Sequence, residues 1–354
     1  MIEIFLALLA LLVLLWAIGL LYLRGPDLIA FDHPSGQIVN AGQSASQEFK
    51  AVVASLDGVA QLLKDTPRRQ HLALLRDYID NVFSLDETGL QFIPVDAAGV
   101  TAEWVLAPNV DTSRRLLYIH GGAYTMGSPK SHRRLTSKFS DLANAAVLSI
   151  DYRLMPEHPR MAGVEDCRTA YRWLMENGPD GVSAASALFV AGDSAGGNLT
   201  LSLIAWIRDQ GLRAPNAAVA VSPSTDGSLG SPSLKGNLAT DPMLGPLFKS
   251  LTRIPRTVLL WGGCLVNRVR PCDPVVSPVF GDLSALPPLL IHASEAEMLR
   301  DDSRRYANKA IAAGSPVTLQ TWNHMVHVWQ IYHPELPEGR QAMEEIGKFL
   351  RARS

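Results

Sequence analysis

One hydroxyl in this chain stands among glycines. The stretch Gly192-Asp193-Ser194-Ala195-Gly196-Gly197 follows the apolar run Ala187–Ala191 and precedes a helix-compatible run, Leu199–Ile207. A G-x-S-x-G element between strand and helix predicts a sharp turn that lifts the serine hydroxyl above a sheet. The glycines are needed there because helix and strand come too close for side chains, and the helix N-terminus brings partial positive charge beside the oxygen. A serine nucleophile needs a base, and the base needs a carboxylate to orient it. The histidines after Ser194 are His292, His324, His327 and His333. His292 falls in the interior of an expected strand and reads as structural. His333 precedes Pro334 and lies further along, which leaves His324 and His327 as rivals. Carboxylates just past the expected strand Leu289–His292 are Glu295, Glu297, Asp301 and Asp302; the last two suit the first turn of the helix that follows.

A second element lies upstream. The run Leu116–Ile119 leads directly into His120-Gly121-Gly122-Ala123-Tyr124. A glycine-rich loop after a strand can turn several backbone N–H groups toward one point, which is what the oxyanion of a tetrahedral acyl-transfer intermediate requires. Gly121, Gly122 and Ala123 are the candidate donors in this loop, joined by the N–H of Ala195. No Cys/His spacing suggests zinc and no phosphate-cradling motif is present, so neither metal nor cofactor is expected.

The elements that must carry these residues read as alternating strands and helices from about Leu90 onward. Expected strands are Leu116–Ile119, Ala146–Ile150, Leu188–Ala191, Ala217–Val221, Leu289–His292 and Val317–Thr321. Helix-length segments Val164–Met175, Asn198–Asp209 and Asp302–Ala313 lie between several of them. Nearly continuous apolar strands alternating with helices predict an α/β fold, a mainly parallel sheet covered on both faces. Ser222–Pro255, richer in Gly, Pro and Ser, interrupts the alternation as an insertion with a short helix at Leu247–Leu251. Upstream, Phe49, Val52, Val53, Leu56, Val59, Ala60 and Leu63 mark one helical face; after Pro67, Leu72, Leu75 and Ile79 begin a second.

Taken together these stretches resemble the hormone-sensitive-lipase-like family of α/β-hydrolase esterases. HGGAY at 120–124 is similar to that family's oxyanion loop, and DYRLMPEHPRMAGVEDC at 151–167 to its Tyr-Arg-Leu-x-Pro-Glu-His-Pro segment. GDSAGGN at 192–198 resembles its nucleophile elbow, and the regions 277–302 and 324–329 its acid and histidine segments. The resemblance covers roughly residues 90–350. It selects His327, which precedes an apolar and aromatic pair, over His324, which stands where the family has glycine. It selects Glu297, two residues before Leu299, over Glu295. It implies that Asp151, Arg153, Glu157, His158 and Asp166 brace the site without a chemical step. The implied activity is hydrolysis of carboxylic esters of short to medium acyl chain through an acyl-enzyme on Ser194. An amidase, formamidase or lactonase could use the same machinery. A ligand-binding or membrane scaffold protein on the same fold is the alternative of another class, and the presence of all three triad candidates counts against it.

The 354 residues, 47 % hydrophobic and 19 % charged, suffice for a sizeable core, and a net charge of −2 gives no global attraction for nucleic acid. Three cysteines, Cys167, Cys264 and Cys272, read as buried thiols rather than a disulfide framework, with a Cys264–Cys272 bridge left open. Ile4–Leu23 carries no charge and no proline, and its 20 residues make a helix of about 30 Å, the thickness of a hydrocarbon core. Glu3 before it, its length and the lack of a small-residue cleavage site favour a retained single-pass anchor over a signal peptide. Arg24 after the segment places the body in the cytoplasm by the positive-inside tendency. The expected organisation is therefore an anchor at 1–24, a linker and helical cap segment at 25–88, and a catalytic domain at 89–354 with a cap insertion at about 224–260. The partners expected are a lipid bilayer along residues 4–23 and a small ester, with no nucleic acid.

Overall fold

The computed structural model describes residues 1–83, 85 and 87–353, with the side chains of Val59 and Ala60 also outside the described set. Among the described residues, nine strands form one sheet. They are β1 (Gln37–Ile38), β2 (Gln91–Asp96), β3 (Thr101–Leu106), β4 (Arg114–Ile119), β5 (Ala146–Ile150), β6 (Ala187–Asp193), β7 (Ala217–Val221), β8 (Leu289–Ser294) and β9 (Val317–Trp322). Their order is β1-β9-β8-β7-β6-β4-β5-β3-β2, with antiparallel pairing only where β3 meets β2 and β5. The central strands are buried along their whole length, as their unbroken apolar runs require. Pro94 is tolerated in β2 because that strand is an edge.

Helices cover both faces. On one, α4 (Arg133–Ala143) and α10 (Pro337–Arg351) pack Leu135, Phe139, Met343, Ile346 and Leu350 against Tyr118, Phe189 and Val219. On the other, α5 (Arg160–Glu176), α6 (Ser194–Asp209) and α9 (Arg300–Ala312) bury Val164, Tyr171, Leu199, Ile204 and Tyr306. The six expected strands and three expected helices all form, most extended by a residue or more.

Two boundaries differ from expectation. The stretch read as linker is part of the body: Leu28 is buried, Asp32 pairs with Arg305, and β1 adds to the sheet edge beside β9. The insertion does not end near 260. After α7 (Leu244–Phe248) and a short turn at Leu251–Arg253, it continues through α8 (Arg256–Asn267), and no strand intervenes between Val221 and Leu289 among the described residues. Upstream, α2 (Gln47–Lys64) is capped by Ser46, whose N–H and hydroxyl both donate to Glu338 of α10 at 2.8 Å. Its Val52, Val53 and Leu56 pack against the cluster of Trp322, Met325 and Trp329. Next, α3 (His71–Asn81) sends Arg76 to the Thr125 and Met155 carbonyls at 2.8 and 3.1 Å.

At the N-terminus, α1 (Ile2–Ile18) continues through a π-helical turn, Gly19–Leu23. The most apolar stretch of these 22 residues has a mean hydropathy of 3.0, and only 6 % of it is buried. This is a helix long and apolar enough to cross a membrane, and a signal sequence has the same properties. All three cysteines are free thiols.

Candidate active site

The site is built where two neighbouring strands end. Ile119 of β4 lies beside Gly192 of β6, so the loop after one strand stands next to the turn after the other. At that turn Ser194 has φ 52°, a left-handed conformation that a serine adopts only under constraint. The two glycines explain how the turn fits. A methyl on Gly196 would run into the Ile119 carbonyl oxygen, and one on Gly192 would meet the same oxygen at 2.6 Å.

Ser194 Oγ lies 2.8 Å from His327 Nε2, and His327 Nδ1 lies 2.7 Å from Glu297 Oε2. The three residues come from β6–α6, the loop after β9 and the loop after β8 respectively. Glu297 is fully buried and His327 nearly so, while Ser194 keeps partial access to solvent. The other carboxylate oxygen, Oε1, accepts the Ser294 N–H at 2.8 Å and the Ser222 hydroxyl at 3.1 Å. The Ser222 oxygen in turn accepts the Val328 N–H at 3.3 Å. Burial opposes the charged imidazolium of His327, but the hydrogen bond to Glu297 and its negative charge outweigh that and raise the pKa above 6.5. With Nδ1–H donating to the carboxylate, Nε2 is left as the acceptor facing the serine hydroxyl.

The rival residues lie elsewhere. His324 is exposed and has φ 67°, a left-handed conformation that glycine adopts more readily than a residue with a side chain. His292 is buried in β8 with Nε2 3.0 Å from the Gln320 amide oxygen, and burial holds its pKa down at about 4. His333 contacts the Arg134 carbonyl at 3.2 Å. Glu295 is paired with Arg304 at 2.8 Å. Asp301 and Asp302 occupy the first turn of α9, and Asp302 accepts the N–H groups of Thr225 and Asp226 at 2.7 and 3.0 Å. The expected bracing residues also find structural partners: Glu157 meets Arg76 at 2.8 Å and Arg153 meets Asp166 at 2.7 Å.

The oxyanion loop needs one correction. The Gly121 N–H donates to Asp193 Oδ1 at 3.1 Å, so it is already committed. Gly122 and Ala123 have φ 109° and 53°, and their N–H groups have no protein acceptor among the described residues. Ala195 lies in the first turn of α6, where backbone N–H groups lack intrahelical partners. The carboxylate that takes Gly121 was not singled out in the sequence. Asp193 is buried, also accepts the Tyr118 hydroxyl at 2.8 Å, and faces His132 Nε2 at 3.4 Å. Burial favours its neutral form, but His132 and the Tyr118 hydroxyl hold its pKa below the ordinary carboxylate range. Its position inside G-x-S-x-G was the one available signal. Asn198, at the end of the same motif, donates to the Ser224 and Val276 carbonyls at 2.7 and 2.9 Å and so ties both ends of the insertion to the nucleophile helix.

The family model for the alpha/beta hydrolase fold matches residues 116–331, which contain the oxyanion loop and the whole Ser-His-Glu array. The chain belongs to the hormone-sensitive-lipase-like family of α/β-hydrolases. An acetyl-hydrolase from Streptomyces hygroscopicus is 44 % identical over 252 residues, covering 71 % of this chain and 79 % of the relative. The carboxylesterase/phospholipase LipF of Mycobacterium tuberculosis is 34 % identical over 264 residues, covering 73 % and 68 %. Among solved structures, an esterase of the bacterial hormone-sensitive lipase family superposes with a TM-score of 0.75 at 35 % identity, covering 88 % of this chain and 99 % of that one. An esterase/lipase from an uncultured bacterium gives 0.74 at 37 %, covering 87 % and 99 %. This hormone-sensitive-lipase-like hydrolase is thus esterase- or lipase-like in function.

Proposed function

We propose that the protein is a serine carboxylesterase working through an acyl-enzyme on Ser194. The observation that carries this is the unbroken chain from Glu297 through His327 to Ser194, at 2.7 and 2.8 Å, ending on the one member of the three that keeps access to solvent. Ser194 Oγ attacks the ester carbonyl carbon as His327 Nε2 takes its proton. Glu297 holds the imidazole in the required tautomer and stabilises the imidazolium that forms. The N–H groups of Gly122, Ala123 and Ala195 receive the developing oxyanion. His327 then gives the proton to the departing alcohol oxygen. Water enters, His327 deprotonates it, and its attack on the acyl carbonyl releases the acid and restores Ser194.

The acyl group is short to medium in this reading, in keeping with the acetyl-hydrolase name of the Streptomyces relative. The helices α2 and α3 and the insertion after β7 form the cap over the pocket. The helix Ile2–Leu23 serves as a retained membrane anchor, with Arg24 and the body on the cytoplasmic side.

Labelling by a fluorescent fluorophosphonate tests the chemistry. Wild type should label and then turn over short nitrophenyl esters, and Ser194→Ala should do neither while keeping its circular dichroism spectrum. Labelling that survives Ser194→Ala, or folded wild type that neither labels nor cleaves esters, would refute the assignment.

A further inference from the structure

The insertion after β7 carries a surface that the esterase chemistry does not use. From Pro242 to Cys272 the chain holds five basic residues, Lys249, Arg253, Arg256, Arg268 and Arg270, and no acidic one. On the same segment Leu247, Val258, Leu265 and Val266 are 58, 57, 73 and 64 % exposed. Phe248, Leu251 and Ile254 are exposed beside them. Lys249, Arg253 and Arg268 stand exposed among these apolar side chains.

The anchor helix meets this surface at a revealing height. The Trp261 indole N–H of α8 donates to the Leu15 carbonyl at 3.0 Å, and Thr257 lies against Gly19. Leu15 is eight residues before Leu23, the end of the apolar segment. At ~1.5 Å per residue, α8 therefore lies alongside the segment for about 12 Å, close to the depth of one leaflet's hydrocarbon. Between the two helices runs an open groove of about 520 Å³, lined by Leu12, Leu15, Trp16, Val258 and Trp261. At the body end, Arg270 stacks over the Tyr22 ring at 4.7 Å, an arrangement suited to the headgroup level.

We propose that α7, the turn after it and α8 enter the near leaflet of the bilayer beside the anchor. In this arrangement Leu247, Val258, Leu265 and Val266 lie among acyl chains, and Lys249, Arg253, Arg268 and Arg270 lie at anionic headgroups. A helix can lie at that depth because its backbone is satisfied internally. The groove between α1 and α8 then takes lipid tails. Asn198 ties both ends of the insertion to the nucleophile helix, so the embedded surface belongs to the end of the sheet at which the strands deliver Ser194. The site opens toward the membrane, and its ester comes from the lipid phase. The inference rests on the anchor reading of Ile2–Leu23.

The test uses the full chain in phosphatidylcholine–phosphatidylglycerol vesicles. Cys264→Ser removes the accessible thiol, Cys167 and Cys272 being buried. An environment-sensitive fluorophore is then placed by Leu12→Cys, Leu247→Cys, Val266→Cys or Val182→Cys. Val182 is 87 % exposed and sits in a short hairpin, Asn177–Gly178 paired with Gly181–Val182, packed at the start of β4, at the opposite end of the strands from Ser194. The proposal expects lipids with a nitroxide near the headgroup to quench the labels at 247 and 266, and not the label at 182. A nitroxide deep in the chain should quench the label at 12. If 12 is quenched but 247 and 266 behave like 182, the anchor stands and the embedded insertion is overturned. If 12 is unquenched as well, the anchor reading fails and takes the proposal with it. A spectral change at 266 that follows protein concentration in detergent, without lipid quenching, would assign the surface to a second copy of the chain and overturn the proposal.

A functional arm is independent of labels. The double variant Leu265→Asp/Val266→Asp should cleave a soluble short-chain ester as wild type does and lose about tenfold or more on an ester carried in the vesicles. Equal activity on both substrates, or equal loss on both, would overturn the proposal.

Discussion

Replacing Glu297 by Gln changes one atom, and the surroundings dictate how the new amide must lie. The oxygen at the Oε1 position is fixed by two donors. The Ser294 N–H at 2.8 Å can only donate, and the Ser222 hydroxyl, whose oxygen already accepts from Val328, donates as well. An NH₂ group placed there would face two hydrogens in a fully buried site. The Gln amide therefore keeps its oxygen at Oε1 and turns its NH₂ toward His327 Nδ1. That forces Nδ1 to accept and moves the imidazole proton to Nε2, where it faces Ser194 at 2.8 Å with nothing to receive the serine proton. The wrong tautomer in a serine triad costs about 10³–10⁴-fold in kcat, or about 4–5.5 kcal/mol of transition-state stabilisation. The charge change also has a pH signature. In the wild type only neutral His327 is active and its pKa is raised above 6.5, so kcat/KM should fall on the acid side with a midpoint above 6.5. Without the Glu297 hydrogen bond and charge, burial opposes the imidazolium against only the smaller pull of the Asp241 and Asp193 charges, and the residual activity should persist to lower pH. Glu297→Asp keeps the charge but withdraws it by about 1.5 Å. It should fall between the two in rate and retain a raised midpoint. The assay is kcat/KM against pH on a soluble nitrophenyl ester, with melting temperature as a control for folding. Glu297→Gln activity within tenfold of wild type, with an unmoved acid limb, would refute this account of Glu297.

Ser222→Ala removes a donor from Glu297 and strands the buried Val328 N–H, so it should cost about 1–3 kcal/mol in chemical denaturation and lower kcat without raising KM. Gly196→Ala drives a methyl into the Ile119 carbonyl oxygen of the adjoining strand end; a loss of at least about 1–3 kcal/mol together with esterase activity is expected, and an unchanged melting temperature would show that the turn has room after all. Asp302 is buried beside Asp226, and both burial and that charge raise its pKa. A carboxyl easier to protonate when folded adds stability at low pH that is lost as pH rises from the ordinary carboxylate range through the raised value. Asp302→Asn should flatten that stretch of the melting-temperature profile, and an Asn variant with the wild-type slope would exclude Asp302 as its source.

What could be read from the sequence was local. The glycines at 192, 196 and 197 and the pair at 121–122 answer to contacts a few residues away or across one strand pair, so their spacing announces the turn and the loop. The apolar runs 116–119, 146–150 and 217–221 announce a buried parallel sheet for the same reason, since each strand states its own burial. The remaining parts of the site depend on contacts that no short window contains. Ser222 reaches Glu297 across 75 positions, and Tyr118 reaches Asp193 across 75 as well. A serine after a strand looks the same whether or not it supports a carboxylate. The two-residue strand β1 has no period to detect, and only its docking beside β9 makes it a strand. By contrast, α4 has a pattern that a short window does contain. Leu135, Phe139, Leu142 and Ala143 recur at four and three within a run of charged and hydroxyl residues, and all four are buried.

His324 carries the same argument to the choice between histidines. Spacing alone could not separate it from His327, because both follow β9 within five residues of its last residue, Trp322. The backbone separates them: 324 is a left-handed turn position at φ 67°, which turns the following chain inward and leaves its own side chain exposed. Three residues later, with Val328 also left-handed at φ 54°, the loop delivers His327 between Glu297 and Ser194. A glycine at 324 would take that conformation with less strain. His324→Gly should therefore preserve activity and leave stability equal or higher, whereas His327→Ala should abolish turnover. Loss of activity in His324→Gly would mean that this side chain does more than occupy a turn.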